Sequence, residues 1–311
     1  MSGVVARPTL SHYAEYYGMR AAVEALRRLS FRRAGDIGEA LGILAYRPFG
    51  VRRSVVERQV RAAFSGLAEP DVLRISRESY AHLGRISVEA ALLPFRTREV
   101  LMGLFDRVEG WGVFEQALAA GRGVMIVTGH LGNWELGGSY ISLRGAGMHA
   151  VARGMQNPLF DRYLTENRRR LGVEVIHDSD AVRRVPRVVR DGGVAGFLFD
   201  QGAVGLASTW VPFFGRYAKT PRGPAVFALR MDAPLVFACA IRQPNGQYVL
   251  HMENVPLTRT GELESDVDAI VAAYTGVLER WVRRYPEQYF WQHRRWKHQR
   301  PGTPAELGDP S

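Results

Sequence analysis

One cysteine, Cys239, stands in a chain of 311 residues, which excludes an internal disulfide and any thiolate-built zinc or iron–sulfur centre. No run approaches the roughly 18 uncharged apolar residues of a membrane-spanning helix. No basic start, apolar middle and cleavage site marks a secretory signal, so export is not expected. There is no phosphate loop of the Walker type and no G-x-S-x-G nucleophile elbow. Gly145-Ala146-Gly147-Met148-His149-Ala150 is a loose G-x-G-x-x-A, but it precedes a strand-like run, where a dinucleotide site would follow one. His12, His82, His149, His177 and His251 are isolated, and His293 and His298 lack a convincing set of metal partners, so neither a metal nor another cofactor is expected. Internal repeats and low-complexity tracts are also missing.

What is present is a basic, core-forming chain. Lys and Arg number 41 against 31 acidic residues, a formal charge of +10, which favours anionic partners such as acidic membrane surfaces, phosphorylated lipids, acidic carrier proteins or nucleic acid. A hydrophobic content of 46% suffices for a large core. Segments alternate in the α/β manner. Helices are predicted over 71–93, 113–120, 133–143, 157–170 and 180–190, the last kinked or started late by Pro186, with strands over 124–128, 148–153, 173–176 and 194–199. Thr220 is read as capping a helix that has Pro221 in its first turn. Residues 235–241 and 248–253 form a hairpin around Asn245-Gly246, and a capping box from Ser265 to Asp268 opens a helix that Pro286 stops. The fold class is α/β, with a central, mostly parallel or mixed sheet flanked by helices and an amino-terminal helical region. The regions read as 1–104, helical and membrane-interfacial or packed as a helix pair on the core; 105–301, catalytic; and 302–311, a polar tail. Arg20, Arg27, Arg28, Arg32, Arg33, Arg47, Arg52 and Arg53 among apolar residues suit a helix lying in a membrane interface.

The chemistry centres on Gly129-His130-Leu131-Gly132-Asn133-Trp134-Glu135, directly after the buried-type strand 124–128. His130 emerges at the strand's carboxyl end, Asn133 caps the next helix, and Glu135 sits in its first turn. On one continuous helix an offset of five would part the two side chains by roughly 140°, so they meet only across a loop. In that arrangement the Glu135 carboxylate holds one ring nitrogen of His130 and the other nitrogen takes a proton from a hydroxyl. A structural His–Glu hydrogen bond is the plainer alternative.

This segment resembles the His-x4-Asp/Glu signature of the glycerolipid acyltransferase superfamily. The run Pro286-Glu287-Gln288-Tyr289-Phe290-Trp291-Gln292-His293-Arg294-Arg295-Trp296-Lys297 resembles the bacterial lipid A late acyltransferase branch. Asn157-Pro158-Leu159-Phe160-Asp161, Phe199-Asp200-Gln201 and Trp210-Val211-Pro212-Phe213-Phe214-Gly215 are similar to that branch's middle blocks, in the expected order. The resemblance implies catalysis by His130 and Glu135, a phosphate-binding or acceptor-positioning role for Arg153, and a place beside the acceptor headgroup for Asp200 and Gln201, with Asn133 counted among the substrate-binding residues. It further implies acyl carrier protein or acyl-coenzyme A as donor, an anionic lipid or glycolipid such as a lipid A precursor as acceptor, and a place on the cytoplasmic face of the inner membrane. The branch commonly carries an amino-terminal membrane span; here peripheral or monotopic attachment is expected instead. Arg294 and Arg295, interleaved with Trp291 and Trp296, suit phosphate binding at headgroup depth, and equally the stacking of single-stranded nucleic acid. A phosphatidylinositol mannoside acceptor, a nucleic-acid-binding protein and a hydrolase using the same dyad on water are the alternatives; the acyltransferase reading expects no nucleic acid.

Overall fold

A computed structural model describes residues 8–202 and 205–310; the first seven residues of the amino-terminal region and the last of the tail lie outside them. Four helices come first: α1 (Leu10–Leu26), α2 (Phe31–Tyr46), α3 (Arg53–Ala63) and α4 (Glu69–Leu92), followed by the short α5 (Arg98–Met102). Then β1 (Phe105–Glu109), α6 (Trp111–Ala119), β2 (Val124–Thr128), α7 (Trp134–Leu143), β3 (Met148–Ala152), α8 (Pro158–Arg170), β4 (Val173–His177), α9 (Ala181–Arg190) and β5 (Val194–Leu198) alternate as the hydrophobic pattern requires. The chain ends through β6 (Ser208–Phe213), β7 (Arg216–Pro221), α10 (Gly223–Met231), β8 (Leu235–Arg242), β9 (Tyr248–Val255) and α11 (Leu263–Arg284).

Seven strands form one sheet in the order β1-β9-β8-β2-β5-β3-β4. The five from β8 to β4 run parallel, and β9 and β1 run against them. β2 and β5 lie at the centre, covered on both faces, which is why they read as unbroken apolar runs. One face carries α9, α10 and α11 and the other α6 and α7, each over its own apolar cluster.

Two expectations are corrected, at Thr220 and at the last helix. Thr220 does not cap a helix: it lies in β7, fully buried, and α10 begins after Arg222. The β6–β7 hairpin turns at Phe214-Gly215, both at positive φ, a turn that the aromatic-rich sequence hides. The last helix starts at Leu263, ahead of Ser265, because Asp266 folds back to accept from the backbone of Thr260 and Gly261 at 2.9 and 3.2 Å.

The amino-terminal helices pack as a layer joined to the sheet. α2 and α4 approach backbone to backbone, since a Cβ at Gly38, Gly42 or Gly84 would collide with a main-chain carbonyl of the opposite helix. From α3, the buried Gln59 donates to the carbonyls of Trp291 and His293 at 2.6 and 2.8 Å and accepts from Arg295 N at 2.8 Å. Among the described residues no helix is long and apolar enough to cross a membrane.

Candidate active site

β2 and β5 are neighbours in register, Thr128 opposite Leu198. The residue two places beyond each strand end is therefore brought across from its counterpart, at about the 4.8 Å strand spacing, and these residues are His130 and Asp200. The Nδ1–H of His130 donates to Asp200 Oδ1 at 2.7 Å, and its backbone N–H donates to Oδ2 at 2.9 Å. Burial alone would raise the Asp200 carboxyl, but the charge and hydrogen bonds of His130 outweigh it and hold the group at about 2, so it is ionised at neutral pH. Gln201 Nε2 lies 3.1 Å from His130 Nε2. With the amide donating there, the ring carries its proton on Nδ1 and keeps a lone pair on Nε2, the tautomer a general base needs.

The loop around His130 is held on all sides. Gly132, at φ +62°, turns it and donates to the Gln288 carbonyl at 3.0 Å, while Phe290 N donates to the His130 carbonyl at 3.0 Å. The imidazole meets Trp134 edge-on, ring centroids 4.8 Å apart, with Phe290 at 5.8 Å. Its side chain is 17% exposed. Beside it, Thr128, Trp134, Glu135 and Arg168 border a narrow, mostly apolar cavity running between α7 and the sheet.

Among the described residues Glu135 makes no hydrogen bond to the imidazole; the carboxylate on Nδ1 is that of Asp200, which corrects the expected pairing. Glu135 faces α8 instead, where Arg168 donates from Nε at 3.0 Å and from Nη2 at 2.5 Å. The reason is directional: a first-turn side chain of α7 leaves the helix toward α8, whereas the loop sends His130 toward the end of β5.

A family model described as bacterial lipid A biosynthesis acyltransferase matches residues 7–298. The chain belongs to this family. It is an acyltransferase. Similar proteins include the lipid A biosynthesis palmitoleoyltransferase of Escherichia coli (strain K12), 27% identical over 266 residues that cover 84% of each chain. The lipid A biosynthesis lauroyltransferase of the same organism is 27% identical over 86% of this chain and 87% of its own. The phosphatidylinositol mannoside acyltransferase of Mycobacterium tuberculosis (strain CDC 1551 / Oshkosh) is 28% identical over 69% and 68%.

The remaining sequence-derived positions divide. Arg153 lies just past β3, exposed, its guanidinium 3.6 Å from Asp178. Asn133 is buried, its Oδ1 accepting from Leu136 N at 3.0 Å and its Nδ2 donating to Glu89 at 2.9 Å. Its polar atoms cap α7 and tie the loop to α4. Arg295 is buried under β7, donating to the Lys219 carbonyl at 2.9 Å and to Thr220 Oγ1 at 2.6 Å, and Arg294 is paired with Asp309. Trp291 and Trp296 are core residues, 1% and 0% exposed. Of the expected headgroup pair, Arg295 is held in the interior with the two indoles, whereas the Arg294 side chain is 42% exposed.

Sequence reasoning missed His82 and Glu89 of α4. His82 Nε2 lies 3.2 Å from the Gly132 carbonyl, and Glu89 accepts from Asn133 and from Tyr248 OH, the latter at 2.5 Å. Their spacing of seven places both on one helix face, a signal visible only once α4 is known to lie against the loop.

Burial also pushes His82 and His293 down to about 4, below the ~6.5 of an unfolded histidine. A depressed group takes its proton first in the unfolded chain, so its stabilising effect is complete above pH ~6.5 and is lost as pH falls toward ~4. The loss should reach roughly 2 kcal/mol for each ring. Melting temperature should fall between about pH 7 and about pH 4.5, and His82→Gln, which keeps a donor for the Gly132 carbonyl, should flatten that slope; an unaltered slope would assign the dependence to other groups.

Proposed function

We propose that this protein is a membrane-surface O-acyltransferase that moves a fatty acyl chain from a thioester donor, acyl carrier protein or coenzyme A, to a hydroxyl of a lipid A precursor or related glycolipid. The observation that supports the reading is an Nδ1-anchored imidazole, its Nε2 directed away from the anchoring carboxylate, packed on Trp134, which itself lines an apolar cavity. The acceptor hydroxyl displaces Gln201 from His130 Nε2 and gives its proton to the ring as its oxygen bonds to the thioester carbonyl. Asp200 stabilises the imidazolium. The tetrahedral intermediate then collapses, the carbon–sulfur bond breaks, and the leaving thiolate takes the proton back from His130. Glu135 and Arg168 form the mouth of the acyl site and bind α7 to α8. A phosphatidylinositol mannoside acceptor is the second reading, favoured by the mycobacterial relatives of that name. Mass spectrometry of acceptor lipids incubated with the purified protein and an acyl donor tests both; no gain of one acyl chain on either acceptor would remove the reading.

The membrane contact falls on the amino-terminal layer. Ile37, Leu41 and Leu44 recur on the face of α2 turned away from α4, 40–55% exposed, and Phe49 and Val51 in the following turn are 74% and 54% exposed. Exposed Arg33, Arg47 and Arg52 stand beside them, the composition of an interfacial surface. Flotation with anionic vesicles should exceed flotation with neutral ones and weaken with salt, because exposed charges are screened beyond ~8 Å at physiological ionic strength. Leu41→Glu with Phe49→Glu should abolish it. Equal binding to both vesicle types would exclude the electrostatic part.

A further inference from the structure

The cavity is lined by Trp134, the residue that packs on His130. Its partly exposed mouth lies at the carboxyl ends of the strands, at Thr128, Ala152 and Leu198, and the buried Ile141, Val173 and Met148 line the other end beneath α7. It exists because the facing surfaces are small: Ala150, Gly196 and Ala240 on the sheet, Gly137 and Gly138 on the helix. As it stands it holds only about 60 Å³, so the side chains along it decide how much of a hydrocarbon enters.

Met148 is the long, flexible side chain at that end. It opens β3, four residues back from Ala152, or roughly 13 Å at ~3.3 Å per residue. A Cβ built on Gly196 would come 2.5 Å from Met148 Cε, and one on Gly138 would come 3.6 Å from both Cε and Sδ. The thioether therefore lies across the slot, between a glycine of the sheet and a glycine of the helix. At 7% exposure it is confined there by packing, and as an unbranched thioether it fills the end without fixing its shape.

We propose that Met148, seated between Gly138 and Gly196, is the gauge that sets how long an acyl chain this enzyme accepts. The proposal rests on the acyltransfer reading and adds to it the residue that determines donor specificity. Met148→Ala removes the stop and should move the optimum to longer chains. Gly196→Ala places a methyl 2.5 Å from the present position of Met148 Cε, narrows the slot there, and should move the optimum to shorter ones. Met148→Leu, of similar volume, should keep the wild-type ranking.

The test is competition among saturated acyl-coenzyme A donors from octanoyl to stearoyl, with transfer to lipid and hydrolysis to free fatty acid both read by mass spectrometry. The ratio of kcat/KM for long over short donors should rise roughly tenfold or more in Met148→Ala and fall by a similar factor in Gly196→Ala, the discrimination ordinary for a methylene or two in an apolar pocket. If Met148→Ala fails to fold, the Gly196→Ala arm decides. Folded, active variants that rank the donors as wild type does would overturn the gauge and leave acyl transfer standing. A wild-type enzyme that turns over none of the chains, whether presented on coenzyme A or on acyl carrier protein, would instead overturn the proposed reaction, and the gauge with it.

Discussion

His130→Ala should lower acyl transfer by roughly 10²–10⁴-fold, the usual cost of losing a general base, with thioester hydrolysis falling in parallel because water needs the same proton acceptor. The fold should survive. The imidazole is partly exposed at a strand end, and the buried Asp200 keeps the backbone N–H of residue 130 as a donor to Oδ2. KM for the donor should change little, since the acyl chain is held by the cavity and not by the ring. Turnover measured with a coenzyme A thioester, alongside a melting curve, checks both parts. A folded variant with near wild-type turnover would exclude the imidazole as base.

The second large effect separates two carboxylates. Asp200→Asn keeps size and fold but replaces the anion on Nδ1 by an amide that can present a donor to the ring, disfavouring the Nδ1–H tautomer and removing the charge that stabilises the imidazolium. A loss of roughly 10³–10⁴-fold in kcat is expected from the comparable change in serine-hydrolase triads. Glu135→Gln touches no atom of the imidazole and breaks a charge-assisted pair with Arg168, which is about a quarter exposed on each side. Its effect should fall mainly on KM for the donor at the cavity mouth, and an Arg168→Lys variant should share it. If instead Glu135→Gln lowered kcat as far as His130→Ala while Asp200→Asn remained active, the carboxylate on the ring in the working enzyme would be Glu135 after all.

These two carboxylates also show what could be read from the chain alone. The strand at 124–128, the helix capped by Asn133, Asn157-Pro158 at the start of α8 and the hairpin of β8 and β9 were all legible, because caps, prolines and apolar periodicity act within a few residues. The spacing of Glu135 five places after His130 was equally visible, but a spacing carries no direction. Asp200 is equally visible beyond a strand end, where the resemblance places it beside the acceptor headgroup, but nothing in the order of segments says that the strand before it lies next to the strand before His130.

The sequence by itself determined the fold class, the two central strands, the histidine at a strand end and membership of an acyltransferase family, because each of these is written in local patterns or in motifs of contiguous residues. Tertiary structure alone decided which carboxylate meets the imidazole, that Arg295, Trp291 and Trp296 lie in the interior, that α4 holds the His130 loop through His82 and Glu89, and that Met148 lies between Gly138 and Gly196 along the cavity. Each of these depends on sheet order and helix packing, which bring together residues tens of positions apart in the chain. The energy that selects that order is the burial of two apolar sheet faces, a sum over many side chains to which no single motif corresponds.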